Sequence, residues 1–168
     1  LLRRGRTIAG AGGGESRGRR GGMLRRESRE GQGVASVFTR IIRGELPGRF
    51  LWRDDEVVAF LTIEPIRPGH ALVVPIREVD HWIDLDPGLA ARLFQVAQAI
   101  GRAQQRAFRP RRIGLAVIGI EVPHVHLHTL PIDAIGDLDF SKADRQPTPA
   151  ALDEAAARIR AELRALGH

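Results

Sequence analysis

The sequence predicts an α+β domain, a single antiparallel sheet of about five strands carrying two long helices. Three observations carry this. Five short runs rich in β-branched and apolar residues lie between Phe50 and Leu130. The last two runs are linked by Gly119-Ile120-Glu121-Val122-Pro123 alone. A parallel crossover needs about a dozen residues, so this pair is antiparallel. Two longer stretches, opening at Asp86-Pro87 and at Thr148-Pro149, repeat apolar residues at helical spacing.

In chain order, Ser36 can cap a first helix in which Val37, Phe38, Ile41 and Ile42 share a face until Gly44 stops it. Pro47-Gly48 is a turn. Residues 50–53 and 57–61 read as two strands of a hairpin around Asp54-Asp55. Pro65, Pro68 and Gly69 break the chain before a third strand, residues 71–74, which Pro75 ends. His81 and Trp82 fall in a connection. Asp86 caps the long helix and Pro87 takes its first position. Leu89, Leu93, Val96, Ala97 and Ile100 form its apolar face, and Pro110 ends it. Residues 113–118 read as the fourth strand and 125–130 as the fifth. Residues 132–147 are polar and irregular. The last helix presents Leu152, Ile159, Leu163 and Leu166 on one side and stops at Gly167. No internal repeat is evident.

Composition narrows the function classes. The chain has 168 residues, enough for one domain with a real core. It has no cysteine, which excludes disulfides and thiolate zinc sites and fits a cytoplasmic protein. No apolar run approaches the roughly 18–20 residues of a membrane helix, and the first residues have no apolar signal-peptide core. The net charge of +6 comes wholly from residues 1-33, with nine arginines against three acids; residues 34-168 balance 17 basic against 17 acidic side chains. The domain itself therefore gives no compositional case for binding nucleic acid. Residues 1-33 also hold ten of the 19 glycines. Such a segment buries too little to offset its ordering entropy and reads as a disordered extension. As a functional arm it would touch RNA phosphates weakly. The initial Leu and the abrupt change at Val34 favour a translation-start artefact instead.

His124-Val125-His126-Leu127-His128 holds three of the six histidines. On a strand, alternation puts the three imidazoles on one face and Val125 and Leu127 on the other. Such a face permits three chemistries. A nucleophilic His can attack phosphorus and form a phospho-His that water cleaves, with its neighbours holding oxygens or moving a proton. Paired imidazoles can hold zinc, with third ligands drawn from His70, His81 or an acid. Histidines can also be purely structural. The spacing alone leaves all three open.

His124 to Leu130 resembles the His-φ-His-φ-His-φ-φ signature of the histidine-triad (HIT) superfamily, φ being apolar, with Thr129 a mild departure. Residues 36–47, 54–61 and 67–75 resemble that family's opening segment and central hairpin, in register up to about residue 132. The resemblance implies a HIT-like fold of Hint-like, bacterial type, working as a homodimer on a purine nucleotide or nucleotide conjugate without a cofactor. It implies His126 as the nucleophile, His124 as the residue that orients it, His128 on the phosphate side near the leaving group, and His70 as support. It also implies a base pocket from Val37, Phe38, Ile41, Leu46, Phe60 and Ile63, which the bare sequence would equally read as core.

Three positions depart from the family pattern. Thr62 stands where many members carry an Asp that holds the ribose hydroxyls, and a neutral hydroxyl binds them less strongly. Ile118 stands at an Asn position, and the usual phosphate loop is cut to residues 119–123, where Glu121 would repel a phosphate unless turned away. Thr39 occupies a place where some members carry a zinc-binding Cys, so no metal is expected. The reading is a nucleotide hydrolase or transferase acting at the α-phosphate of a nucleoside phosphoramidate through nucleotidyl-His126. The alternatives are a HIT-fold binding or regulatory protein with little catalysis and, third, a His-ligated metalloenzyme.

Overall fold

The structure, a computed structural model, describes residues 35–168. The extension expected over residues 1-33 lies outside the described residues. Helix α1 (Val37–Ile42) leads into strands β1 (Phe50–Arg53), β2 (Val57–Leu61) and β3 (Ala71–Pro75). Helix α2 (Pro87–Phe108), strands β4 (Arg112–Val117) and β5 (Leu127–Ile132), and helix α3 (Pro149–Ala165) follow. The sheet order is β1-β2-β3-β5-β4 and every neighbouring pair is antiparallel. Among the described residues, no helix is long and apolar enough to cross a membrane.

Alternation along the strands divides the core in two. Val57, Ala59 and Leu61 of β2, Ala71 and Val73 of β3, and Val125 and Leu127 pack with Leu93, Val96 and Ile100 of α2 and Ile159 and Leu163 of α3. Val58, Phe60, Leu72 and Val74 point the other way, onto Phe38 and Ile42 of α1. The helix starts agree with the sequence. The side chains of Ser36, Asp86 and Thr148 each accept a backbone N–H from the first turn, and Pro87 and Pro149 open α2 and α3. The hairpin turn is held by Asp54, which accepts from the backbone of Glu56 and Val57, from Trp52 Nε1 and from Arg92.

Three expectations are corrected. The fifth strand begins at Leu127, so only His128 of the triad lies in the ladder. Leu127 is the last residue paired on both sides, with Val73 and Val117. Upstream, Val125 N–H goes to the Val79 carbonyl and His124 N–H to the Val122 carbonyl. The chain bends through residues 121–124 and meets the ladder only at Leu127. Likewise β4 ends at Val117, before Ile118, and Gly119 turns the chain with φ +75°. The segment 132–147 is also less irregular than its composition indicates. It carries two short 3₁₀ turns, Ile135–Leu138 and Phe140–Lys142. Asp137 accepts from the backbone of Asp133 and Ala134 to cap the first turn, and Asp139 accepts from Ser141 N–H at the second.

Candidate active site

The histidine face is the sheet face opposite α2 and α3. His124 is fully buried, His126 is 7% exposed, and His70, in the turn entering β3, is 2% exposed. His128 is partly buried. The three triad side chains share this face despite the late start of β5: Val125 and Leu127 between them pack into the opposite core, while His124 and His126 meet the Phe38 ring.

Hydrogen-bond bookkeeping assigns the tautomers. His126 Nδ1 lies 2.7 Å from the His124 carbonyl oxygen, which can only accept. Nδ1 therefore carries the proton, and Nε2 of neutral His126 keeps a lone pair. His124 Nε2 lies 2.8 Å from the Pro75 carbonyl and so donates, leaving Nδ1 to accept from Ser36 Oγ at 2.7 Å. His70 Nδ1 accepts from Ile66 N–H at 3.3 Å, so His70 Nε2 donates to His128 Nδ1 at 3.0 Å. His128 then carries its remaining proton on Nε2. One histidine thus offers the site a lone pair and another offers an N–H.

Burial sets the electrostatics. Desolvation lowers His124 and His126 below the ordinary imidazole range. It takes His70 down to about 4, with the charge of His126 adding to the effect. It takes His128 to about 3, with His126 and His70 contributing. At pH 7 all four lie on the neutral side of their titration.

A cavity of about 430 Å³ opens on this face. Every residue expected in the base pocket lines it: Val37, Phe38, Ile41, Leu46, Phe60 and Ile63, with Thr62 beside them. His126 and His128 reach its wall, whereas His70 and His124 do not line it. The Phe38 ring also meets His126 edge-on at 4.9 Å, so it backs the imidazole as well as the cavity. Thr62 Oγ1 accepts from Glu64 N–H. Arg49, Glu64 and Glu121 complete the polar lining.

Several residues act here that sequence reasoning did not assign to the site. Ser36 appeared only as a helix cap, yet its hydroxyl also holds His124. Thr39 Oγ1 donates to Glu78, whose carboxylate accepts Ser36 N–H as well. The Thr39 hydroxyl holds Glu78 below the usual carboxylate range. Phe140, from the second 3₁₀ turn, packs edge-on against His128 at 4.9 Å and lies 6.1 Å from His70. Buried Gln104 of α2 donates from Nε2 to the carbonyls of Gly69 (2.8 Å) and Thr129 (2.9 Å), the residues flanking His70 and His128. Ser36 and Thr39 stood out along the chain only as a helix cap and as a departure from a Cys position, and neither pointed to the triad.

The donor set does not suit a metal. Both ring nitrogens of His124 and His70, and Nδ1 of His126 and of His128, are already hydrogen-bonded, which leaves two imidazole nitrogens. Among the described residues, no group of three or more His, Cys, Asp or Glu converges as a metal site requires.

Comparison with known proteins agrees with this geometry. Residues 43–135 match the family model of the HIT domain. Protein hit of Bacillus subtilis is 32% identical over 108 residues, covering 60% of this chain and 73% of that protein. A zinc-bound histidine triad family protein from Mycobacterium smegmatis superposes with a TM-score of 0.69 at 27% identity, covering 79% of this chain and 96% of the other. A hypothetical histidine triad nucleotide-binding protein from Sulfolobus tokodaii superposes with a TM-score of 0.66 at 25% identity, covering 77% and 92%. The matched segment contains His70 and the whole triad, and the chain belongs to the HIT domain family.

Proposed function

We propose that this chain hydrolyses nucleoside phosphoramidates, or closely related nucleotide conjugates, at the α-phosphate through a covalent nucleotidyl-His126 intermediate. The observation that carries the reading is the bond from His126 Nδ1 to the His124 carbonyl, which commits the proton there and leaves Nε2 as a lone pair beside the cavity. Nε2 attacks phosphorus, and the P–N bond to the leaving amine breaks with its electron pair. The leaving nitrogen takes up a proton from solvent and departs as the amine; the water that later cleaves the intermediate returns one proton to solvent. The positive charge that the new phosphorus–nitrogen bond places on the His126 ring strengthens its Nδ1–H bond to the carbonyl. His128 Nε2–H is a donor for the phosphoryl oxygen that gains charge. Water then cleaves the phosphorus–imidazole bond, releasing the nucleoside monophosphate and restoring His126. Phe38, Ile41, Leu46, Phe60 and Ile63 supply the apolar surface for a purine base, and the Thr62 hydroxyl faces the ribose.

The test is turnover of an adenosine phosphoramidate by His126→Ala. We expect loss to background with the fold retained, and an acid-labile nucleotidyl label on His126 in the parent chain. Undiminished turnover in the variant, or a label on another residue, overturns the mechanism. A binding protein with little catalysis is the second reading, favoured by the carboxylate of Glu121 on the cavity wall. Background turnover by the parent chain together with measurable nucleotide binding selects it.

We also propose a homodimer. Strand β4 is a sheet edge, and Leu115 on it is 42% exposed. Phe94 of α2 is 56% exposed across a hollow of about 560 Å³ that both residues line. An open edge beside exposed apolar side chains is suited to a second copy of the chain.

A further inference from the structure

The cavity is charged in the opposite sense from a phosphate cradle. Arg49, Glu64 and Glu121 are its charged lining residues. Arg49 is already engaged, donating to Asp153 at 2.6 Å and to the Pro149 carbonyl. Among the described residues, neither Glu64 nor Glu121 has a side-chain hydrogen bond or ion pair. Glu121 stands in the loop just before the triad, and its charge is felt at His126. A nucleotide bound with its α-phosphorus at His126 would bring further negative charge into this field. Each additional phosphate, or a carboxylate on the leaving group, would meet repulsion. A positive charge on the leaving group would be drawn to the same wall.

Resting on the hydrolase reading above, we infer that the site selects nucleoside 5′-phosphoramidates whose leaving amine carries a second, positively charged amino group, with Glu121 as its counter-charge. Such a substrate is a nucleotide joined through a P–N bond to a diamine. Its ammonium offsets the charge of the phosphoramidate, so the conjugate enters the cavity close to neutral. Nucleoside di- and polyphosphates are disfavoured by the same carboxylates. Glu121 is then a specificity-determining residue, not a nucleophile or a proton carrier: it acts through its charge on the part of the substrate that leaves.

The test compares kcat/KM for three AMP conjugates of similar size, with leaving groups 1,4-diaminobutane (cationic), butylamine (neutral) and 4-aminobutanoate (anionic). One unit charge acting across a partly solvated site is worth about tenfold. We expect the cationic conjugate to exceed the neutral one by about tenfold and the neutral to exceed the anionic. The spread should shrink as salt rises. In Glu121→Gln it should collapse, through loss on the cationic conjugate and gain on the anionic one. Equal rates for the three conjugates, or an unchanged spread in Glu121→Gln, overturn the inference and leave the hydrolase reading standing. Turnover of all three no faster than by His126→Ala overturns the hydrolase reading itself, and the inference with it.

Discussion

The His126 imidazole donates its Nδ1 proton to the main-chain carbonyl of His124, 2.7 Å away. The acceptor belongs to the neighbouring triad residue, whose own ring is fully buried and bonded at both nitrogens. The orientation of the proposed nucleophile is therefore fixed by how tightly His124 is held. That holding comes from Ser36 and the Pro75 carbonyl, on two other parts of the chain.

Ser36→Ala tests this link. The substitution removes the shorter hydroxyl contact to Nδ1 of a buried imidazole, leaving only Thr39 Oγ1 at 3.4 Å, at a cost of about 1–3 kcal/mol. It also removes the cap of α1, which adds about 1 kcal/mol. If Ser36 positions the triad, kcat for an adenosine phosphoramidate falls several-fold with KM little changed, and Ser36→Thr, which keeps the hydroxyl, restores most of it. A lower unfolding midpoint with kcat unchanged would make Ser36 a stabilising residue only.

Gln104→Met tests the second support. Met matches the length of Gln but donates nothing, so the carbonyls of Gly69 and Thr129 lose their shared donor. A stability loss of about 1–3 kcal/mol is expected from urea denaturation. The His70–His128 hydrogen bond should loosen with it, seen as a change in the His128 ring nitrogen shifts by NMR. Unaltered shifts would show that the strands hold the pair without help from α2. The close approach of α2 to this turn is also why position 69 is Gly: its φ is +87°, and a Cβ there would collide with the Phe108 ring.

The buried histidines set a pH dependence whose sign is definite. Their native-state pKa values lie below the ordinary 6.5, at about 4 for His70 and about 3 for His128. Between those values and 6.5 the unfolded chain binds more protons than the native one. Stability is thus full above pH 6.5 and falls as pH drops through the window toward 4. His70 alone accounts for roughly 3 kcal/mol across that window. The urea midpoint should be clearly lower at pH 5 than at pH 7, and His70→Gln should flatten part of the difference. A midpoint that is equal or higher at pH 5 contradicts neutral burial. Activity follows the same direction: the acid limb of kcat/KM, reporting protonation of His126 Nε2, should lie below pH 6.5.

Much of the architecture was legible because it is written in local chemistry. Asp86-Pro87 and Thr148-Pro149 announce their helices through cap and first-turn geometry. The short 119–123 link requires the antiparallel β4–β5 pair. Period-2 alternation puts Val125 and Leu127 in the helix-facing core and the three histidines on the other face. Strand ends were less legible. Where a ladder stops depends on partners distant in sequence, and Val125 exchanged a strand partner for the Val79 carbonyl. Phe140 was hidden for a related reason: an Asp-rich segment reads as a loop, and nothing local places one of its side chains on His128.

By itself, then, the sequence determined the α+β class and the common face of the triad, because residue type, spacing and caps act over a few positions; the side chains around the cavity were named only through the family resemblance. The tertiary structure alone decided which nitrogen of each imidazole carries its proton. Ser36 reaches His124 across 88 residues, and His70 reaches His128 across 58. A tautomer is chosen by the donor or acceptor that burial places opposite the ring, and no pattern along the chain specifies that partner.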